Sequence, residues 1–144
     1  MAKILIINGP NLNMLGVREP DVYGAKTLAE IESETQLEAQ KFKLELTWFQ
    51  SNSEGEIVTK IHELVDSEYV GLIINPGAYS HTSLALFDAL KILKIPIAEV
   101  HISNVFKREG ARQELLTGGA CDVIMCGPNY SVYGNAAYAL SKLC

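Results

Sequence analysis

Basic charge, long apolar runs and paired cysteines are all scarce in this sequence, and each shortage excludes something. Only 12 Lys and Arg stand against 17 Asp and Glu in the 144 residues, a formal charge of -5. A basic face that could hold a polyanionic duplex by counterion release is therefore not expected. The longest apolar stretches, 4–7 and 70–74, fall far short of the roughly 20 residues of a membrane-spanning helix. Lys3 is followed at once by a strand-like pattern rather than a signal core. A cytoplasmic location follows, with neither nucleic acid nor membrane as partner. The cysteines Cys121, Cys126 and Cys144 are odd in number and fit neither a disulfide framework nor a zinc knuckle. They read as reduced, mostly packing thiols.

Cofactor signatures are missing too. Neither G-x-G-x-x-G nor G-x-x-x-x-G-K-[ST] occurs, and the first loop, G-P-N-L-N-M-L-G, lacks the hydroxyl-rich phosphate cradle of a flavin mononucleotide binder. No two histidines have helical metal-ligand spacing. No metal and no cofactor is expected.

What the chain does contain is alternation. Short β-branched runs at 3–8, 44–49, 70–75, 97–101 and 122–126 read as five strands. Between them, T-L-A-E at 27–30 and S-E-G-E at 53–56 have capping-box form and mark helix starts. After those caps, Leu28, Ile31, Thr35, Ala39 and Phe42 recur at helical spacing, as do Ile57, Ile61, Leu64 and Val65, giving each helix one buried face. Further helices are expected over 82–94 and 130–143. Strands apolar on both faces, separated by single helices, require helices on both sides of a parallel sheet with right-handed crossovers. With 48% hydrophobic residues the chain can fill one core, so residues 1–144 are expected to form a single α/β domain. The expected fold is doubly wound and flavodoxin-like, with five parallel strands in the order 2-1-3-4-5 and a ligand crevice beyond the carboxyl ends of strands one and three. The long irregular stretch 9–26 is a candidate lid over that crevice.

Polar side chains gather where the crevice should be. Asn8, Asn11, Asn13, Arg18 and Tyr23 follow strand one, the run Asn75 to His81 follows strand three, and Glu99, His101, Ser103 and Asn104 surround the end of strand four. Glu99 and His101 are two apart on a strand, so both project from one face and the carboxylate can orient the imidazole as a general acid. A structural ion pair between Glu99 and a helix lysine is the competing reading. A tyrosine acts as a base near neutrality only if its phenolate is stabilised, since its ordinary pKa is about 10. Arg18 and Arg108 are the cations that could approach Tyr23; a tyrosine that merely packs the loop shut is the alternative. The turn N-P-G-A-Y-S-H-T-S places His81 near a helix start, and the amides of Ile102 and Ser103 suit a small anion such as a carboxylate. His62, mid-helix without polar companions, reads as structural.

These motifs together, G-P-N-L-N-M-L-G-x-R-E-P at 9–20, the following V-Y-G, F-Q-S-N-S-E-G-E at 49–56, N-P-G-A-Y-S-H-T-S at 75–83 and E-V-H-I-S-N at 99–104, resemble the type II 3-dehydroquinate dehydratases over nearly the whole chain. The resemblance implies dehydration of 3-dehydroquinate to 3-dehydroshikimate in the shikimate or quinate pathway. It implies anti elimination through an enolate, without metal or Schiff base. By matching motifs, Tyr23 is the base, Arg18 assisted by Arg108 supports its phenolate, and Asn11 stabilises the enolate through an ordered water. His101, oriented by Glu99, protonates the departing hydroxyl. Asn75 with the Ile102 and Ser103 amides holds the substrate carboxylate, and His81 and Arg112 bind ring hydroxyls. Asp88 reaches the pocket of a neighbouring subunit in a dodecamer of trimers. The pattern departs after Arg108, where Gly110-Ala111 replace a usually bulky residue and Phe106 stands where histidine is common. Gly110 lowers local helix propensity by roughly 0.8 to 1.0 kcal/mol relative to Ala. A non-catalytic flavodoxin-like module that binds a small anion or nucleotide in the same crevice is the reading from another class, and a structural oligomer retaining the site as a relic is a third.

Overall fold

A computed structural model describes residues 1–17 and 19–144; the role expected of Arg18 lies outside the described residues. The five strands are β1 (Ala2–Asn8), β2 (Leu44–Gln50), β3 (Tyr69–Asn75), β4 (Ile97–His101) and β5 (Val123–Cys126). They pair in parallel in the order β2-β1-β3-β4-β5, the expected flavodoxin-like arrangement. The helices are α1 (Pro20–Tyr23), α2 (Leu28–Gln40), α3 (Glu54–His62), α4 (Leu84–Ile92) and α5 (Val132–Ser141). Among the described residues no helix is long and apolar enough to cross a membrane.

The strand period of two sorts the core into two layers. On one side Ile4 and Ile6 pack with Ile31 and Ala39 of α2 and with Val132, Tyr133, Ala136 and Leu140 of α5. On the other, Leu5 and Ile7 pack with Ile57 and Ile61 of α3 and with Leu86, Ala89 and Leu90 of α4. A central strand covered on both faces is apolar where it is buried, as Ile4, Leu5, Ile6 and Ile7 are, and the polar residues of β1 fall at its two ends, Lys3 at one and Asn8 at the carboxyl end, where the crevice opens.

The helix starts follow local chemistry, with two corrections. Thr27 and Glu30 form the expected reciprocal capping box, an arrangement worth about 1 kcal/mol. At Ser53 only half of it exists: the hydroxyl accepts from the Glu56 amide, but the Glu56 carboxylate accepts from the Ser51 hydroxyl instead. The helix expected over 82–94 begins late. A tight helical turn, Gly77–His81, comes first, Thr82 closes it, and Ser83 caps α4 by accepting from the Leu86 amide. The segment 130–143 likewise shortens to α5, and Val65, beyond the end of α3, is exposed rather than buried. The stretch 9–26 is not wholly irregular, since it holds the turn Leu12–Met14 and α1.

Candidate active site

Two glycines let the loops after β1 and β3 press together. A Cβ on Gly9 would lie 2.4 Å from the Pro76 carbonyl oxygen, and Gly77, at φ 60°, faces Pro10 at 3.1 Å. The resulting cleft is lined by Asn11, Tyr23, Asn75, His81, His101, Ile102, Ser103, Arg108 and Arg112, together with the apolar atoms of Pro10, Leu12 and Val105. Nine of the expected site residues thus converge. Of the remainder, Glu99 lies directly behind His101, whereas Asp88 is exposed on α4 and does not line this cleft. Size alone points elsewhere: a largely apolar groove of about 860 Å³ runs between α2 and α5, against about 110 Å³ for the polar cleft.

One part of the cleft is built from the end of β4. Glu99 and His101 share a face as the strand period requires, and His101 Nε2 lies 2.8 Å from Glu99 Oε2. Glu99 is 0% exposed and His101 6%. The second carboxylate oxygen of Glu99 accepts from the hydroxyl of Thr117, also fully buried. Both oxygens of a dehydrated carboxylate are therefore engaged, which holds it rigidly and leaves His101 Nδ1 as the nitrogen able to exchange a proton with a ligand. The ring of His81 stacks on that of His101 at 6.3 Å, with its own Nδ1 2.6 Å from the Glu114 carbonyl oxygen.

Tyr23 also lines the cleft. Arg108 Nη1 donates to its hydroxyl at 2.9 Å, across 85 residues of sequence, and the guanidinium lies 5.5 Å from the ring centroid. The Tyr23 hydroxyl pushes the Arg108 pKa further above its ordinary range, so this cation stays charged. Arg108 sits between two short turns, Val105–Lys107 and Gly110–Arg112. Three residues past Tyr23, Lys26 pairs with Glu34, which raises the ammonium to about 12, and it lies 4.6 Å from the Tyr130 ring centroid. This contact anchors the loop to α2 and to the start of α5.

Asn11 adopts a left-handed backbone, φ 70°. Its amide donates to Asn52 Oδ1 at 3.0 Å, an oxygen that also accepts from Gln50 Nε2, and the Tyr79 hydroxyl donates to the Asn52 carbonyl at 2.8 Å. Strain of this kind survives where surrounding contacts over-determine it.

Comparison with known proteins gives the family. The family model for Dehydroquinase class II matches residues 2–141. The chain belongs to that family. It is 48% identical over 142 residues to the 3-dehydroquinate dehydratases of Bacillus mycoides (strain KBAB4) and Bacillus cereus (strain AH187), covering 99% of this chain and 97% of each relative. The type II dehydroquinase structure from Propionibacterium acnes superposes with a TM-score of 0.94 at 33% identity, covering 99% of this chain and 97% of that one. The one from Butyrivibrio crossotus gives 0.94 at 40% identity, covering 96% and 97%.

Within this class II dehydroquinase, three residues around the cleft carry contacts that no sequence motif assigned. Thr117, Asn52 and Tyr133 hold Glu99, Asn11 and Asn75 respectively. Asn52 was within reach, because the 49–56 motif contains it; Thr117 and Tyr133 stand alone in sequence and gain meaning only from burial. Asn75 is also more engaged than expected. Its Nδ2 donates to the Tyr133 hydroxyl at 3.1 Å and its Oδ1 accepts from the Gly77 amide at 3.2 Å, so only its second N–H is left for a ligand.

Proposed function

We propose that the chain dehydrates 3-dehydroquinate to 3-dehydroshikimate by anti elimination through an enolate, using neither a metal nor a Schiff base. The observation that carries this reading is the pairing, in one cleft, of a tyrosine held by a guanidinium with a histidine held by a buried carboxylate. Binding alone needs no such pair.

Tyr23 takes the axial C2 proton, and the C–H electrons flow into the C3 ketone to give an enolate. The contact from Arg108 stabilises the phenolate form of Tyr23 that accepts this proton, and Arg18 is assigned the same task. Asn11 stabilises the enolate oxygen through an ordered water. The enolate then collapses, the C1 hydroxyl leaves with a proton from His101 as water, and a C1–C2 double bond conjugated to the ketone remains. Fixed donors and a positioned acid and base are what abstraction beside a ketone requires. Asn75 with the Ile102 and Ser103 amides receives the substrate carboxylate, and His81 and Arg112 receive ring hydroxyls. Asp88, exposed on α4, completes the pocket of a neighbouring subunit in a dodecamer of trimers. Residues 1–144 act as one cytoplasmic catalytic domain.

Adding 3-dehydroquinate to the purified protein should produce the ultraviolet absorbance of the conjugated product, unaffected by chelator and by borohydride. No absorbance change would refute the reading in favour of a non-catalytic anion-binding module. Inactivation by borohydride only when substrate is present would show an imine route instead.

A further inference from the structure

Behind the cleft, two buried polar side chains that the proposed chemistry does not use, Tyr133 and Asn8, connect to Asn75. Tyr133, on α5, is fully buried, its ring 5.4 Å from that of Trp48. Its hydroxyl donates to Asn8 Oδ1 at the end of β1 and accepts from Asn75 Nδ2 at the end of β3. Two strands on which the crevice is founded are thus tied together through one phenol.

The direction of these bonds matters. Burial pushes the Tyr133 phenol pKa upward, so the oxygen keeps its single proton. That proton is committed to Asn8, whose own Nδ2 lies buried with no partner among the described residues while its oxygen faces Tyr133. With its proton spent, the Tyr133 oxygen can only accept, and what it accepts is an N–H of Asn75. The Gly77 amide fixes the other end of the same side chain by donating to Oδ1. An Asn75 amide turned around would face its oxygen to the phenol and its NH₂ to the Gly77 N–H, donor against donor, and it would offer a lone pair rather than a proton to an anion in the cleft.

We propose that Tyr133 is a positioning residue that holds the Asn75 amide as the donor for the carboxylate of the ligand. This rests on the functional reading above, in which Asn75 receives that carboxylate.

The test is Tyr133→Phe, which keeps ring and packing and removes only the hydroxyl. KM for 3-dehydroquinate should rise about 10- to 100-fold, the worth of a hydrogen bond to a charged group, while kcat stays within about threefold. Quinate and its methyl ester, used as competitive inhibitors, separate orientation from general loosening. The wild type should prefer the acid to the ester, and Tyr133→Phe should lose most of that preference; loosening would weaken both inhibitors alike. Should the variant fold poorly, Asn8→Asp and Asn8→Leu replace it. The first keeps an acceptor for the Tyr133 proton and should retain the preference, and the second removes the acceptor and should lose it. Active wild-type protein with KM and acid preference unchanged in these variants overturns the role of Tyr133 alone. Wild-type protein with no turnover overturns the functional reading and this inference with it.

Discussion

Tyr23→Phe is expected to lower kcat by about 10²- to 10⁴-fold, the usual contribution of a positioned acid or base, and to leave the fold intact. The ring is retained, so its packing against the core beside α2 and the stacking of the Arg108 guanidinium over it both survive. The reacting oxygen is lost, and with it the acceptor that Arg108 meets at 2.9 Å. Because the two groups act as one unit, their losses should not add. Arg108→Ala should slow turnover in the wild-type background and have little further effect once Tyr23 is Phe. Steady-state kinetics of the two single variants and the double variant, with thermal unfolding as a control, decides this. Near-normal kcat in Tyr23→Phe would contradict the assignment of the base.

His101→Ala is expected to fail in two ways at once. Removing the general acid should cost about 10²- to 10⁴-fold in kcat, and it also strands Glu99, a fully buried carboxylate whose remaining partner is the Thr117 hydroxyl. Leaving one member of a buried pair uncompensated costs about 3–5 kcal/mol of stability. A second substitution separates these effects. Glu99→Gln removes the charge while keeping an oxygen for Thr117, so the His101→Ala/Glu99→Gln double variant should recover most of the lost stability and remain inactive. Denaturant titration beside kinetics provides both readouts. A stable His101→Ala protein would mean that Glu99 is not held charged, and an active one would remove the histidine from the chemistry.

The sequence was most informative where physical constraints are local and periodic. Buried strands such as 70–74 had to be continuous apolar runs, and the spacing of two between Glu99 and His101 had to place both on one face. Helix ends were harder to read, because several residues compete for each capping role. Thr82 and Ser83 are both able to cap, and the freedom of Gly77 inserts an extra turn that hands the task to Ser83. Glu56 is drawn away from Ser53 by Ser51, a competitor that the four-residue formula cannot see. Within the cleft, motif positions could be gathered at strand ends, but the contact between Tyr23 and Arg108 joins loops that only the fold brings together. The residues beneath them were the least visible. Tyr133 belongs to no motif, and nothing in spacing distinguishes a buried hydroxyl with two partners from one with none.

The central claim is that base and acid approach a bound ring from opposite sides, and stereochemistry tests it most directly. 3-Dehydroquinate carrying deuterium at one C2 position or the other, turned over to completion, reports which hydrogen is lost when the product is analysed by mass spectrometry. The account predicts loss of the axial hydrogen, trans to the departing C1 hydroxyl, with the other retained. Loss of the hydrogen on the same side as that hydroxyl would contradict it.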